Sequence, residues 1–264
     1  MTEITAAMVK ELRDATSAGM MECKRALQET DGDFDAAMKL LREKGLASAA
    51  KRAGRETTEG IVLTRSDDEH GTIVAVGCET EPVSKNEDFH AFAEDVLREV
   101  HDRGESALEL LDGRRVDLAA RLGENVQVVG ARRMSARHGE YFVSYVHPPA
   151  HKIGVLVKVR GGSPELPRQL AMHIAFSRPT YASREQVPPE LVAAEREILE
   201  KLPEVTSKPA EIREKIVDGM LNKRFFAESV LGEQAWIHDD SLTVAKALEQ
   251  GGLELVDFVW YSLG

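Results

Sequence analysis

The chain has 264 residues, 42% hydrophobic and 30% charged, a composition typical of a folded protein of one to three domains. Its formal net charge of −11 repels phosphate backbones, so we do not expect nucleic acid as a direct partner. No apolar run reaches the roughly 18 residues of a membrane span, and the acidic N-terminus differs from a signal peptide. The two cysteines, Cys23 and Cys78, are far apart and outside any CxxC pattern, which argues against a disulfide framework or a cysteine zinc site. We therefore expect a cytoplasmic protein without a membrane partner.

The first fifty or so residues carry three short amphipathic helical patterns. The second is expected from about Met20 to Glu29, and the third is expected to stop at Gly45. Helices this short are marginal alone, so we predict that they pack into a small bundle. The basic stretch 51–55 that follows is interpreted as a solvated hinge and not a phosphate-contacting patch, because it is short and lacks aromatic residues.

From about Gly60 the pattern changes to strands alternating with helices. The order strand, loop, helix occurs once from Thr72 and again from Lys152, which predicts two related α+β halves. Apolar stripes between about 189 and 224 predict an antiparallel helical hairpin, which either projects as an arm or packs on the core. Ser241 is the candidate N-cap of a last helix, and a final strand follows it.

These patterns together predict an α+β fold. We expect an N-terminal three-helix bundle, then a two-part α+β core with antiparallel sheets and the inserted antiparallel helical hairpin. The predicted division assigns 1–54 to the bundle, 55–147 to the first core subdomain and 148–264 to the second, with the hairpin at about 189–224.

Sequence motifs for catalysis and cofactor binding are absent. The chain contains no phosphate loop GxxxxGK[ST], no dinucleotide loop GxGxxG, no GxSxG elbow and no HExxH zinc motif. His147 and His151 are the closest histidine pair, but a metal site there would need further ligands, so a loop or partner contact is favoured. We therefore predict no cofactor and no metal, and a binding protein in preference to an enzyme.

Four stretches of the chain resemble one family. LRDATSAGMMECKRAL at 12–27 closely resembles the N-terminal signature of the elongation factor Ts family, over sixteen consecutive residues. CETEPVSKNEDF at 78–89, GEN at 123–125 and AMHIAFSRP at 171–179 resemble later family motifs in the same order. The resemblance covers essentially the whole chain.

This resemblance implies a non-enzymatic guanine-nucleotide exchange factor of translation elongation. Such a factor binds elongation factor Tu in its GDP-bound and nucleotide-free forms and promotes GDP release by disturbing the magnesium and phosphate site. The resemblance further implies that the N-terminal domain, similar to ubiquitin-associated domains, docks on the nucleotide-binding domain of the partner. Some family members associate as dimers, so a homodimer stays open.

The resemblance also assigns residues to partner binding. They are Arg13, Met20, Met21, Lys24 and His147. Of the two methionines we expect one to be exposed to a partner groove and one to lie in the core. For His147, a partner contact and an ordinary surface position are equally open. Cys23 is interpreted as a small buried hydrophobe and His173 as a structural histidine.

The residues Thr80, Glu81, Pro82 and Val83, here called the 80–83 segment, align with the exchange loop of the family, which usually reads Thr-Asp-Phe-Val. Glu81 keeps the negative charge, whereas Pro82 replaces the aromatic wedge with a side chain that stiffens the backbone. Val83 or the loop backbone is the alternative wedge. Composition alone indicates a plain strand-to-helix turn.

Three hypotheses follow. The first is the exchange factor, and the second is a protein that binds elongation factor Tu without accelerating GDP release, which the change at Pro82 keeps open. The third is an enzyme with a novel site on the core, against which the missing motifs argue.

Overall fold

The computed structural model describes residues 3–16 and 18–264. Its N-terminal part is a bundle of α1 (Ala6–Thr16), α2 (Met20–Glu29) and α3 (Phe34–Arg52). The Asp33 carboxylate caps α3 by accepting from the Ala36 amide at 2.9 Å. The helices bury a common cluster of side chains: Val9, Leu12, Cys23, Ala26, Leu27 and Ala37. The predicted bundle and the burial of Cys23 are confirmed.

The elements of the core follow in chain order. They are β1 (Glu59–Ser66), β2 (His70–Cys78), α4 (Glu81–Ser84), α5 (Glu87–Arg103), α6 (Leu108–Leu122), β3 (Gln127–Ser135), β4 (Glu140–Val146), β5 (Ile153–Gly161), α7 (Leu166–Ser177), α8 (Pro189–Glu200), α9 (Pro203–Thr206), α10 (Ala210–Met220), α11 (Ala227–Ser229), β6 (Ala235–Trp236), β7 (Asp239–Thr243), α12 (Val244–Gln250) and β8 (Leu253–Ser262). Among the described residues, no helix is both long and apolar enough to cross a membrane.

The third bundle helix is longer than predicted. It continues through Gly45 to Arg52, so the expected stop at Gly45 is wrong. Gly45 instead faces α6, where an added Cβ would lie 3.0 Å from the Ala120 Cβ. The glycine therefore permits close approach of two helices and does not end one.

The stretch 51–55 is solvent-exposed apart from the half-buried Arg52, but it is not a free hinge. Lys51 and Arg52 belong to α3. The carbonyl oxygens of Ala53 and Arg55 accept from the Asn125 side-chain amide at 3.3 and 2.7 Å. These hydrogen bonds fix the connection between the bundle and the core, which corrects the hinge interpretation.

Six strands of the described chain form two three-stranded antiparallel sheets with one topology, and β6 pairs with β7 in a separate two-stranded sheet. The strand orders of the two three-stranded sheets are β1-β2-β3 and β4-β5-β8. In each of these two sheets a hairpin comes first, helices follow, and the third strand returns to pair with the middle strand. This repetition agrees with the two α+β halves expected from the sequence. The prediction assigns β4 to the first subdomain, because it places the boundary after residue 147. In the structure β4 is the first strand of the second sheet, so that sheet begins before the predicted boundary.

The two sheets face each other, and helices cover their outer faces. Successive side chains of a strand point to opposite faces. On β2, Ile73 and Ala75 accordingly join the cluster between the sheets, whereas Val74 and Val76 pack with α5 and α6. The second sheet buries its outer face against α7 and α12. The core therefore has the layer order helix, sheet, sheet, helix.

The predicted helical hairpin is confirmed: α8 and α10 pack on each other, and α9 lies in their connection. The hairpin and its base share a separate cluster of buried side chains: Val187, Leu199, Val205, Val217, Leu221, Phe226 and Val230. A π-helical turn at Leu221–Phe226 leads back to the core. The hairpin thus carries a hydrophobic core of its own.

The predicted cap of the last helix is wrong by two residues. Thr243 caps α12, because its hydroxyl accepts from the Lys246 amide at 3.4 Å. Ser241 lies in β7, and its hydroxyl donates to the Asp239 carboxylate. The competing local hydrogen bond explains the difference. The final strand is confirmed as β8.

The contact between the sheets generates a stability prediction. An added Cβ at Gly71 would lie 2.5 Å from the buried Phe142 ring, so we expect Gly71→Ala to lower the free energy of unfolding by about 1–3 kcal/mol. Gly219→Ala in α10 is the control, because a Cβ there meets nothing within 4 Å and alanine favours the helix. Urea denaturation of both variants measures the difference. Equal stability of the two variants would contradict close packing at Gly71.

Candidate functional site

The 80–83 segment lies between the end of β2 and the start of α5. It forms the single-turn helix α4, with Pro82 in the first turn, where proline is tolerated because no intrahelical donor is lost. Thr80, Glu81 and Pro82 are exposed, whereas Val83 is half-buried and packs against the core of the first sheet. The segment therefore presents its first three residues to solvent and is anchored by the fourth. A short helix replaces the plain turn that composition indicates.

A carboxylate from a distant part of the chain holds the start of this segment. Glu124 Oε2 accepts from the amides of Glu79 and Thr80, both at 3.0 Å. Its other oxygen accepts from the Thr80 hydroxyl. The buried Cys78 thiol adds a hydrogen bond to the Thr80 carbonyl at 3.4 Å. These contacts fix the backbone where β2 ends and α4 begins.

A second carboxylate, that of Glu79, accepts a hydrogen bond from the residue that follows Glu124. Glu79 Oε1 accepts from the Asn125 amide at 2.7 Å, and the Glu79 carboxylate also pairs with Arg55 at 3.1 Å. Asn125 is buried and also donates to the carbonyls of Ala53 and Arg55, in the linker between the bundle and the core. This linker, the end of β2 and the residues just before β3 therefore form one network. In the sequence, GEN at 123–125 is recognisable only as a family motif. Its physical role was not visible in the sequence, because the partners are some 45 residues away.

The network sets the ionisation of its groups. The Asn125 amide, assisted by the Arg55 guanidinium, holds the pKa of Glu79 below its usual range. Burial, together with the negative charge of Glu124, raises the pKa of the Cys78 thiol to about 12. Glu79 is therefore the ionised acceptor of the network, and Cys78 is a protonated packing residue without thiolate character.

Glu81 lies on the exposed side of the segment and pairs with Lys85 at 2.7 Å. The hydrogen bond and charge of Lys85 lower the pKa of Glu81, and the Lys152 ammonium contributes to the same effect. Both members of the pair are largely exposed, so the pair costs little to open. The Glu81 carboxylate is accordingly ionised and free to exchange Lys85 for a partner group.

The loop of residues 147–152 lies at the same end of the core as the 80–83 segment. Glu59 pairs in register with Cys78, and Lys152 Nζ lies 2.7 Å from the Glu59 carboxylate. The Val62 amide donates to the His151 carbonyl at 2.8 Å. His147 is exposed in this loop, and its Nδ1 lies 2.7 Å from the Tyr145 hydroxyl. The structure thus brings His147 and the 80–83 segment, assigned by the same resemblance, to neighbouring strand ends.

Arg13, Met20, Met21 and Lys24 lie elsewhere, on α1 and α2 of the bundle, whose main contact with the core is made by α3. All four side chains are exposed, Met20 to 53% and Met21 to 61%. The expectation that one methionine is buried is therefore wrong. Ala18 packs against the bundle cluster, and its carbonyl accepts a hydrogen bond from the Cys23 thiol.

Met20, Met21 and Lys24, here called the methionine surface, are neighbours on the helix. Lys24 follows Met20 by four residues and Met21 by three, so its side chain is the helix-surface neighbour of both methionines. Two unbranched thioether side chains beside a cation form an adaptable apolar surface with one positive charge. Such a surface suits a partner helix or groove.

His173 lies in the core of the second sheet. His173 is fully buried, stacks on Trp236 and lies 2.9 Å from the Gln234 side-chain oxygen, and burial lowers its pKa. Its interpretation as a structural histidine is confirmed. Among the described residues, no group of three or more His, Cys, Asp or Glu side chains is arranged to hold a metal ion.

Comparison with known proteins identifies a family and close relatives. The family model described as Elongation factor TS matches residues 79–264. The chain is 44% identical to elongation factor Ts of Thioalkalivibrio sulfidiphilus, with 99% of this chain and 92% of that protein aligned. It is 41% identical to elongation factor Ts of Methylococcus capsulatus, over 99% and 92% of the two chains. The same protein of Idiomarina loihiensis is 40% identical over 99% and 91%.

The network of Glu79 and Glu124 generates a pH prediction. Because the folded-state pKa of Glu79 is depressed, its carboxylate contributes stability above the unfolded-state pKa of about 4.3 and loses it as the pH falls through the folded-state pKa. We expect Glu79→Gln to lower the free energy of unfolding at pH 7 by about 1–2 kcal/mol, with a smaller difference in acid. Glu56→Gln, an exposed position on the same linker, is the control. A difference that is independent of pH would contradict the assignment.

Proposed function

We propose, since this chain belongs to the elongation factor Ts family of translation elongation factors, that it is a guanine-nucleotide exchange factor for elongation factor Tu in the cytoplasm. It binds the partner in its GDP-bound and nucleotide-free forms and makes or breaks no covalent bond. The observation that carries the proposal is the 80–83 segment, exposed at a strand end and held rigidly from behind by Glu124.

The proposed exchange step is local. GDP in a GTPase is held by a magnesium ion and by backbone donors around its phosphates. Glu81 brings an ionised carboxylate to that site, and Pro82, in the first turn of α4, presents a stiff backbone in place of an aromatic wedge. The segment disturbs the magnesium and phosphate contacts, while Val83 stays anchored in the core.

The proposed docking uses a second surface. The methionine surface and Arg13 contact the nucleotide-binding domain of the partner, and His147 contacts it beside the 80–83 segment. Exposed methionines contribute affinity by burying apolar area on binding. Thermodynamic linkage then requires that GDP weaken the complex of the two proteins to the same extent as this protein weakens the binding of GDP.

A second candidate function is binding without exchange, which the proline at position 82 favours because it removes the aromatic side chain of the family. The two candidates differ in rate and not in affinity. Elongation factor Tu loaded with fluorescent GDP is mixed with the protein and excess unlabelled GDP, and the release is followed by stopped flow. Release that accelerates in proportion to the added protein supports exchange. Unchanged release with binding confirmed by gel filtration leaves binding alone.

We expect the double substitution Glu81→Ala and Pro82→Ala to lower the maximal release rate on the order of tenfold, because it removes both the charge and the rigid backbone. The affinity for elongation factor Tu changes less than the rate. Glu109→Ala, at an exposed position on α6, is the control and leaves both unchanged. A variant that releases GDP at the original maximal rate would remove the 80–83 segment from the exchange step.

The methionine surface gives the complementary prediction. The double substitution Met20→Ala and Met21→Ala should raise the concentration of half-maximal stimulation by about 10- to 100-fold, since two apolar contacts are lost. The rate at saturation and the midpoint of thermal unfolding should stay unchanged, because both side chains are exposed. Leu110→Ala is the matched control, at a leucine that is 68% exposed on α6. An unaltered half-maximal concentration would contradict docking at this surface.

A further inference from the structure

The 80–83 segment cannot hold its own conformation. Its helix α4 is four residues long, and a single helical turn is unstable without tertiary contacts. Thr80, Glu81 and Pro82 of the segment face solvent, and Val83 packs against the core. A segment that must push into a nucleotide site therefore needs support from another part of the chain.

The side chain of Glu124 supplies that support through three hydrogen bonds. One carboxylate accepts from two consecutive backbone amides, of Glu79 and Thr80, and from the Thr80 hydroxyl. A carboxylate offers several acceptor sites and no donor, and hydrogen bonds to an ionised acceptor are the stronger kind. Glu124 thus fixes the orientation of the peptide planes from which α4 begins.

The support is reciprocal. Glu79 of the loop accepts from the amide of Asn125, so the loop and the 124–125 segment each donate amides to the other's carboxylate. The Asn125 side chain extends the same network to the linker carbonyls of Ala53 and Arg55. The loop cannot rotate without breaking hydrogen bonds on both sides.

We propose that Glu124 is a positioning residue for nucleotide exchange, which holds the 80–83 segment in the orientation that enters the partner's nucleotide site. This inference rests on the proposed function and deepens it. Glu124 acts through Thr80 and does not itself contact nucleotide or magnesium. Its loss should lower the rate at saturation more than the affinity, because the docking surfaces on α2 are unaffected.

Two substitutions separate positioning from folding. In Glu124→Gln the side-chain oxygen still accepts from both amides, and the amide nitrogen can donate to the Thr80 hydroxyl, which reverses its role. Glu124→Ala removes every acceptor. The matched control is Glu105→Gln, because the Glu105 carboxylate also accepts from a backbone amide, that of Arg133, at the far end of the same sheet.

The experiment uses the full chain. Amide hydrogen exchange of Glu79 and Thr80 in the free protein is followed by NMR, and GDP release from elongation factor Tu is measured over a range of factor concentrations. We expect Glu124→Ala to speed amide exchange at both positions and to lower the saturating release rate on the order of tenfold. The half-saturating concentration should change by less than about threefold, and Glu124→Gln should stay within about threefold of the parent rate. Glu105→Gln should match the parent in all three readouts.

The outcomes distinguish this inference from the proposed function. If the parent protein does not accelerate GDP release, the exchange function fails and the positioning role falls with it. If the parent accelerates release and Glu124→Ala does so equally, the function stands and the positioning role is overturned. Unchanged amide exchange in Glu124→Ala would likewise overturn it. If Glu124→Ala does not fold, a Glu124→Gln protein with parental release supports the hydrogen-bonding account, and one with the tenfold loss contradicts it.

Discussion

The two core sheets approach each other so closely that glycine is required where side chains of the opposite sheet cross. Gly71 faces the Phe142 ring, Gly130 faces the Tyr261 ring and Gly154 faces Val62. Because this contact occupies the inner faces, the outer faces must be covered by helices, which gives the middle strand of each sheet apolar neighbours on both sides. The strand ends are then the places where connections reach solvent on a rigid support, and the candidate residues of the core lie there.

Register between and within the sheets decides which connections become neighbours. The pairing of Glu59 with Cys78 and the ion pair of Glu59 with Lys152 place the 80–83 segment and the 147–152 loop at one end. The hydrogen bond from Val62 to His151 fixes the loop against the first sheet. A one-residue slip would turn every inward side chain of a strand outward, so the packed face between the sheets also protects the geometry of the loops.

The sequence predicted the parts of the fold that depend on periodicity. Amphipathic repeats indicated the bundle, the strands and the hairpin, because each of these elements buries one face. Local signals were less reliable where tertiary contacts compete with them. Gly45 is a residue type that often ends a helix, yet here it lies inside α3 and packs against α6. Met20 and Met21 follow a glycine at the start of an amphipathic helix, yet both are exposed, and Cys23, Ala26 and Leu27 are the residues of α2 that the bundle buries.

The hydrogen bonds that support the 80–83 segment could not be predicted from a single sequence. The carboxylates and amides that form them are about 45 residues apart, and each acid alone resembles a solvated charge. The same network also joins the two surfaces of the proposed function. The methionine surface lies on a bundle joined to the core by α3 and by a linker whose carbonyls are bound to Asn125. In the proposed function, a partner held by the bundle meets the 80–83 segment at a fixed orientation, so that binding energy gained on α2 is available where the nucleotide is displaced.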